Sequence, residues 1–391
     1  MSGMPPPEII NGLPGKPLPF ELVENILSRL PVKSLKRFRA VEKSWRHLID
    51  SERFAKIHLH RSLTSKSNRN LFSGLLGFHW ISVDSLDKEH SMNPGFEYDD
   101  KFIGAISNSC NGLVVVGREP DPPILWNPFS REYKVLPKCP LDFQADSSFS
   151  CKTTYGFGYD SINDDYKVVK VMLYMKPFFK LSEEWIYSLK SNSWRRTNGS
   201  DYDRGHWSHH VNGLLHIIVH TGPGLESMKI MGFSVETEED YEVMKPVGPG
   251  IDTKGLIRVC LSVLDGCLAL VCDYASEVVV WVMVEYRVQK SWTPLFTYPV
   301  EEGEFVRPLA YSKESDKIVL NCSCTRFTVC GVKKRTSVEN FAMPCLFWPR
   351  LCVESLISPN GWAVVGKSPT EKQIKDGQPN NLGKKVMKKK R

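Results

Sequence analysis

Residues 18–49 read LPFELVENILSRLPVKSLKRFRAVEKSWRHLI, and their spacing decides the fold of the N-terminal part of the chain. Leu18, Leu22, Ile26, Leu27 and Leu30 recur every three to four residues, the period of one apolar helical face. Pro19 fits a first helical position, where a missing N–H costs nothing, and Glu21 favours the positive end of the helix dipole. Pro31 stops this helix after Leu30 and opens a second, with Leu35 and Phe38 on its apolar side and Lys33, Lys36, Arg37 and Arg39 on its wet side. A third helix comes next with Val41, Trp45, Leu48 and Ile49 inward, and Phe54, Ile57 and Leu59 close the helical part. Three helices in about forty residues cannot bury this much apolar surface among themselves, so part of it is expected to meet a partner.

The stretch resembles an F-box. The resemblance rests on Leu18-Pro19, Glu21-Leu22, Ile26-Leu27, Leu30-Pro31, Leu35, Val41 and the run Lys43 to Trp45. It implies a three-helix module that docks on the Skp-type adaptor of an SCF ubiquitin ligase and, through it, reaches cullin and RING subunits. The adaptor-binding set so implied is Leu18, Pro19, Leu22, Ile26, Leu27, Leu30, Pro31, Leu35, Val41 and Trp45, each meeting the adaptor or the core behind it. The competing reading is an ordinary helical subdomain packed on its own neighbour, which periodicity alone allows.

With 391 residues, 41% hydrophobic and 24% charged, the chain has room for two or three globular domains. No stretch reaches the apolar length of a membrane span, and MSGMPPPEIINGLPGK has neither a basic n-region nor an apolar h-region. The expectation is a protein of the cytoplasm or nucleus with no membrane partner. Eleven cysteines form no CxxC pair and read as reduced core residues. Residues 366–391 hold nine of the 51 Lys/Arg and two of the 44 Asp/Glu, so the tail alone carries the net +7 and the rest is neutral. Nucleic acid is therefore not an expected partner. Residues 18–62 hold ten basic and five acidic residues, which suits an acidic adaptor.

From about residue 70 the period changes to short β-rich runs separated by Gly, Pro, Asn and Asp. A turn signal and then an apolar strand recur at Asn111-Gly112, Asp164-Asp165, Asn212-Gly213, Asp265-Gly266 and Ser315-Asp316, roughly fifty residues apart, the period of a kelch-like blade. Each unit reads as a four-stranded sheet with two apolar faces, which only stacking around an axis can bury. Five such units run from about 103 to 345, and strand-like runs at 70–84 and 346–366 combine into a sixth that closes the ring with both chain ends. The fold class is thus a small all-α module, then an all-β propeller of about six blades, five or seven remaining open. The expected divisions are a flexible start (1–17), the helical module (18–62), the propeller (63–366) and a basic disordered tail (367–391).

The middle region resembles the F-box-associated domain, type 1, of plant F-box proteins, the group with S-locus and CPR-type members. The carrying motifs include NGL (111–113), WNP (126–128), YGFGYDSINDDYKVV (155–169), YSLKSNSWR (187–195), LDGCLALVC (264–272) and RPLAYSK (307–313). The resemblance implies a non-catalytic receptor holding a protein substrate for ubiquitination and proteasomal degradation. Trp126, Trp194, Trp281 and Trp292 read as core-packing aromatics of the blades. Propellers bind partners on rim loops, here 117–124, 174–184, 199–209 and 220–228.

Other motifs lead nowhere. GWAVVGKS (361–368) matches a phosphate-loop pattern, but its interior is apolar and β-prone, and residues 369–383 carry no apolar helical face. His206, His209 and His210 lie just before a strand without an obvious carboxylate or thiolate partner, and Asp160, Asn163, Asp164 and Asp165 read as a hairpin turn. No nucleophile elbow or HExxH is present, and no cofactor is expected. Lys384, Lys385, Lys388, Lys389, Lys390 and Arg391 form a basic end that reads as a nuclear signal, a polyanion contact or a plain solubilising tail. The alternative to a ligase receptor is a propeller-based ligand-binding protein or enzyme with a helical extension; a third reading is an adaptor-binding protein outside any ligase.

Overall fold

The computed structural model describes residues 18–361 apart from 75–76, 98–104, 118–119, 142–148, 178, 198, 200–209, 223–226, 247–254, 302–303, 324–325, 333–336, 344–345 and 347. Four helices come first: α1 (Phe20–Leu27), α2 (Val32–Phe38), α3 (Lys43–Ile49) and α4 (Glu52–Thr64). Pro19 and Pro31 stand one residue outside α1 and α2, at their N-caps, where each carbonyl accepts the first helical bonds: Leu22 N to Pro19 O at 3.0 Å and Ser34 N to Pro31 O at 2.9 Å. Val41, expected inward on the third helix, precedes it in a turn and is 63% exposed, because the extended Glu42 caps α3 and the helix starts only at Lys43. The residues expected to close the module belong to α4, a fourth helix of 13 residues. Its N-cap Ser51 accepts from Phe54 N at 3.2 Å, and its face of Phe54, Ala55, His58, Leu59 and Ser62 is buried.

Twenty-four strands, β1 to β24 in chain order, form six four-stranded antiparallel sheets among the described residues. Five sheets take consecutive strands: β4–β7 (105–135), β8–β11 (150–196), β12–β15 (210–243), β16–β19 (256–299) and β20–β23 (307–342). The remaining sheet is ordered β24-β1-β2-β3, from β24 (Arg350–Val353), β1 (Arg69–Ser73), β2 (Phe78–Ser82) and β3 (His90–Met92). The ring therefore closes as the two outlying strand runs implied, with the C-terminal strand innermost and three N-terminal strands outside it. GWAVVG contributes nothing to this sheet that can be described, since residues 362–366 lie outside the described residues.

The five sequence anchors are the hairpin turns between the first and second strands of the five consecutive blades. Asn111, Asp164, Asn212, Asp265 and Ser315 all have φ between 48° and 60°, the left-handed conformation a tight two-residue hairpin requires. At the first of them Gly112 (φ 81°) also has no room for a side chain: a Cβ there would lie 2.6 Å from Val353 O and 2.4 Å from Ser355 Oγ. In the closing blade no covalent turn exists at this place. Glu354 N instead donates to Asn68 O at 2.8 Å, and β24 pairs with β1 from Arg69↔Val353 to Phe72↔Arg350.

The core lies between blades. Leu264, Val271 and Val280 pack on Ile318, Leu320 and Cys330 of the next sheet, and Leu71 and Ile81 of the closing blade pack on Val319 and Phe327. Trp126 is fully buried against Phe72 and Phe78, with ring centroids 5.6 and 4.8 Å away. Trp194 and Trp292 act as outer staples: each indole N–H reaches the chain just beyond the previous blade's outer strand, at Pro137 O (2.7 Å) and Met244 O (2.9 Å). Of the nine described cysteines none is bridged, and six are buried. Asp160 accepts from the N–H groups of Ile162 and Asn163, at 3.1 and 2.9 Å, so the acidic loop is the turn its composition indicated.

Two residues make this packing testable. Asn127, fully buried, donates to Ser355 O (3.0 Å) and Ile357 O (2.9 Å) while its own oxygen accepts from Phe129 N and Ser130 N. Asn127→Ala leaves these groups unpaired and is expected to cost about 1–3 kcal/mol, read as a lower urea midpoint at unchanged slope; an unchanged midpoint contradicts the closure role. His58 is fully buried and its Nε2 lies 2.9 Å from Leu30 O, so burial lowers its pKa below 6.5. The unfolded chain then takes up the proton first, and the stability His58 contributes is present above 6.5 and lost as pH falls toward the folded value. Between about pH 7.5 and 5, wild type should lose more stability than His58→Gln, with a limiting slope of about 1.4 kcal/mol per pH unit. His210, pushed down to about 4 by burial, is present in both proteins and cancels in the comparison.

Candidate functional site

The apolar stripe of the first helix divides into two rows. Val23 and Leu27 are buried, and Leu30 is partly so, one row at i, i+4, i+7 turned toward the α4 face. The neighbouring row, Leu18, Leu22 and Ile26, is 59%, 51% and 50% exposed, and Phe20 and Val41 are exposed elsewhere on the module. Of the ten expected docking residues, then, Leu18, Pro19, Leu22, Ile26, Pro31 and Val41 are exposed, Leu27 and Leu35 are core, and Leu30 and Trp45 are intermediate. Trp45 packs edge-on against Phe38, with centroids 5.7 Å apart. Phe20 was not in the expected set. Its position lies about 200° around the helix from Leu22, so periodicity put it off the stripe; it is exposed because nothing in the described chain covers that side of α1.

The opposite side of the helices is fastened to the propeller. Pro31 has no side-chain acceptor for α2, and Glu354, directly after the closing strand, supplies one: its carboxylate accepts from Val32 N at 2.8 Å and from Asn70 Nδ2 at 3.3 Å. Burial pushes the Glu354 pKa up, while these two donors favour the charged form. Lys36 reaches Glu132 at 2.7 Å, Lys56 reaches Asp164 at 3.2 Å, and Lys66 reaches Asp265 and Ser315. Each such surface pair contributes little, about 0.2–1 kcal/mol. Because they touch four different blades, they fix orientation.

All these partners sit at one end of the strands. Asp164, Asp265 and Ser315 are in first-to-second-strand turns, Glu132 comes after a third-to-fourth-strand turn, and Glu354 after the innermost strand. In antiparallel sheets of this order, the second-to-third loops and the interblade connections emerge at the other end. The helices therefore cover one rim, and among the described residues no helix packs on the far one. The described parts of 117–124 and 220–228 are second-to-third-strand loops on that far rim, whereas 174–184, expected as a loop, is mostly strand, because β9 runs to Lys176 and β10 starts at Phe179, leaving a tight hairpin; of 199–209, only Gly199 is among the described residues.

The remaining sequence candidates do not gather into a site. His210 lies on β12 with His206 and His209 outside the described residues, as are the basic end 384–391 and all but Gly361 of GWAVVGKS. Among the described residues no three His, Cys, Asp or Glu side chains are placed to hold a metal ion, and no helix is long and apolar enough to cross a membrane.

Comparison with known proteins agrees with this arrangement. The F-box domain family matches residues 17–57, and the family described as the F-box associated beta propeller domain matches residues 50–325. The latter is the third of the F-box-associated types, where the motifs had suggested type 1. The chain is 32% identical to F-box protein CPR1 of Arabidopsis thaliana over 87% of its own length and 88% of that protein. It is 33% identical to an F-box/kelch-repeat protein of the same plant over 79% and 89% of the two lengths. Among solved structures it is similar to an oligogalacturonate lyase from Vibrio parahaemolyticus, at 8% identity and a TM-score of 0.41, covering 71% of this chain and 75% of that one. With a helical F-box at its start, a six-bladed ring after it and relatives matched over most of their length, the chain belongs to the plant-type F-box proteins that carry an F-box-associated β-propeller domain.

Proposed function

We propose that the chain is the substrate-recognition subunit of an SCF-type ubiquitin ligase. Its F-box docks on a Skp-type adaptor, and through it on cullin and RING subunits, while the propeller holds a protein substrate for ubiquitination and proteasomal degradation. The observation that carries this reading is the uncovered apolar row Leu18, Leu22 and Ile26, beside the buried row of Val23 and Leu27. An exposed contiguous apolar patch on a folded module marks an interaction site, and an i, i+4 row suits helix-on-helix docking. Substrate then falls to the far rim, on loops 117–124, 174–184, 199–209 and 220–228. The subunit does no covalent chemistry in this reading. It raises the effective concentration of substrate lysines near a charged E2. Residence in the cytoplasm or nucleus goes with this role, the basic end 384–391 serving as a nuclear signal.

The test uses exposed positions, so that docking is separated from folding. Leu22→Asp and Ile26→Asp each place a charge where the partner's apolar surface would close over it, and should weaken capture of a Skp-type adaptor by at least about 100-fold. Circular dichroism and melting temperature should stay as in wild type, because both side chains are half exposed. Adaptor binding by wild type and both variants alike, or by none of them, overturns the assignment.

A further inference from the structure

The axis of the ring holds a cavity of about 530 Å³ whose lining includes Leu63 and Lys66 from the end of α4 and its linker, so it is capped on the F-box side. Its charged lining is unequal: Lys66, Arg69, Arg307 and Arg350 face one carboxylate, Asp265. That carboxylate is already bound to Lys66 and lies 4.0 Å from Arg69, whose other acidic neighbour, Asp84, is 3.8 Å away and outside the cavity lining. Arg307 is 3.5 Å from Asp273, which Arg258 holds more closely at 2.6 Å. Arg350 has no carboxylate partner among the described residues; its guanidinium lies 3.4 Å from Trp348 O, and burial lowers its pKa to about 10, still cationic at neutral pH.

Several donors in this lining are unused. Arg69 is 5% exposed, and its Nε and Nη2 have no hydrogen-bond partner among the described residues. The same holds for Nε2 of His210, which also lines the cavity. A buried guanidinium with unpaired N–H groups is costly unless something accepts from it, and the accepting group that matches its fork is a phosphate or carboxylate. One acceptor cannot serve arginines from different blades; several acceptors on a small molecule can. The volume is that of small-molecule sites.

We infer that the propeller axis is a binding site for a compact polyanion bearing several phosphate groups, held by Arg69, Arg307 and Arg350 from strands of the closing blade and its neighbour. Such a ligand neutralises the excess of cations in the lining. The site is independent of adaptor docking and places a small molecule beneath the rim assigned to substrate.

The experiment is calorimetric titration of the full-length protein with tripolyphosphate at constant ionic strength. Wild type is compared with Arg350→Gln, Arg307→Gln, and a tail variant in which the six basic residues of 384–391 are glutamine. Wild type is expected to bind, and each arginine variant to bind about tenfold more weakly or less, because a charge-assisted contact in a desolvated site is lost. The tail variant should retain the Arg350-dependent binding. Tripolyphosphate should also raise the melting temperature of wild type and not of the arginine variants; without ligand, Arg350→Gln, which removes a cation that has no carboxylate partner among the described residues, should melt as wild type or higher. Absence of binding by wild type, equal binding by the arginine variants, or binding that vanishes with the tail alone overturns the proposal.

Discussion

A four-stranded sheet with apolar residues on both faces has no stable existence alone, and every blade here depends on its two neighbours. An open row of such sheets would leave two apolar faces in water, so the ring must close, and the chain ends must meet to close it. They meet in the sheet ordered β24-β1-β2-β3, where the missing hairpin is replaced by Glu354 N donating to Asn68 O. The buried Asn127, which gathers residues 355 and 357 beneath the ring, secures the strand that does this.

Closure also settles where the F-box sits. The residue just beyond the closing strand, Glu354, accepts from the first N–H of α2, and the residues just before β1 continue from α4. The helices are therefore attached at the seam, on the rim of the first-to-second-strand turns. Lysine contacts to Glu132, Asp164 and Asp265 spread that attachment over further blades. One side of α1 is consumed by this packing, and the other, with Leu22 and Ile26, stays uncovered. The exposed row of α1 is thus kept out of the contacts that fasten the helices to the propeller.

Much of this was legible in the sequence because the signals were local. A left-handed turn needs Asn, Asp or Gly, so Asn111, Asp164, Asn212 and Asp265 announced the blades, and the fifty-residue spacing announced the ring. Tryptophans read as packing are packing, with Trp126 enclosed and Trp194 and Trp292 stapling neighbours. What spacing could not separate was the two faces of α1: Leu27 and Leu22 fit the same stripe, and only the position of α4 makes the first core and the second surface. Val41 was placed inward because periodicity does not see that Glu42 is extended and the helix begins after it. Glu354 was invisible for a similar reason, since the Val32 N–H it accepts from lies far away in sequence.

The proposed bridging role requires that one face of the F-box receive an adaptor while the propeller's far rim stays available to a substrate. Hydrogen–deuterium exchange of the full-length protein, with and without a Skp-type adaptor, tests it most directly. New protection is expected at amides of 18–29 and 40–46, with unchanged exchange in 117–124, 174–184 and 220–228. Protection appearing in those loops, or none in the F-box, would contradict it.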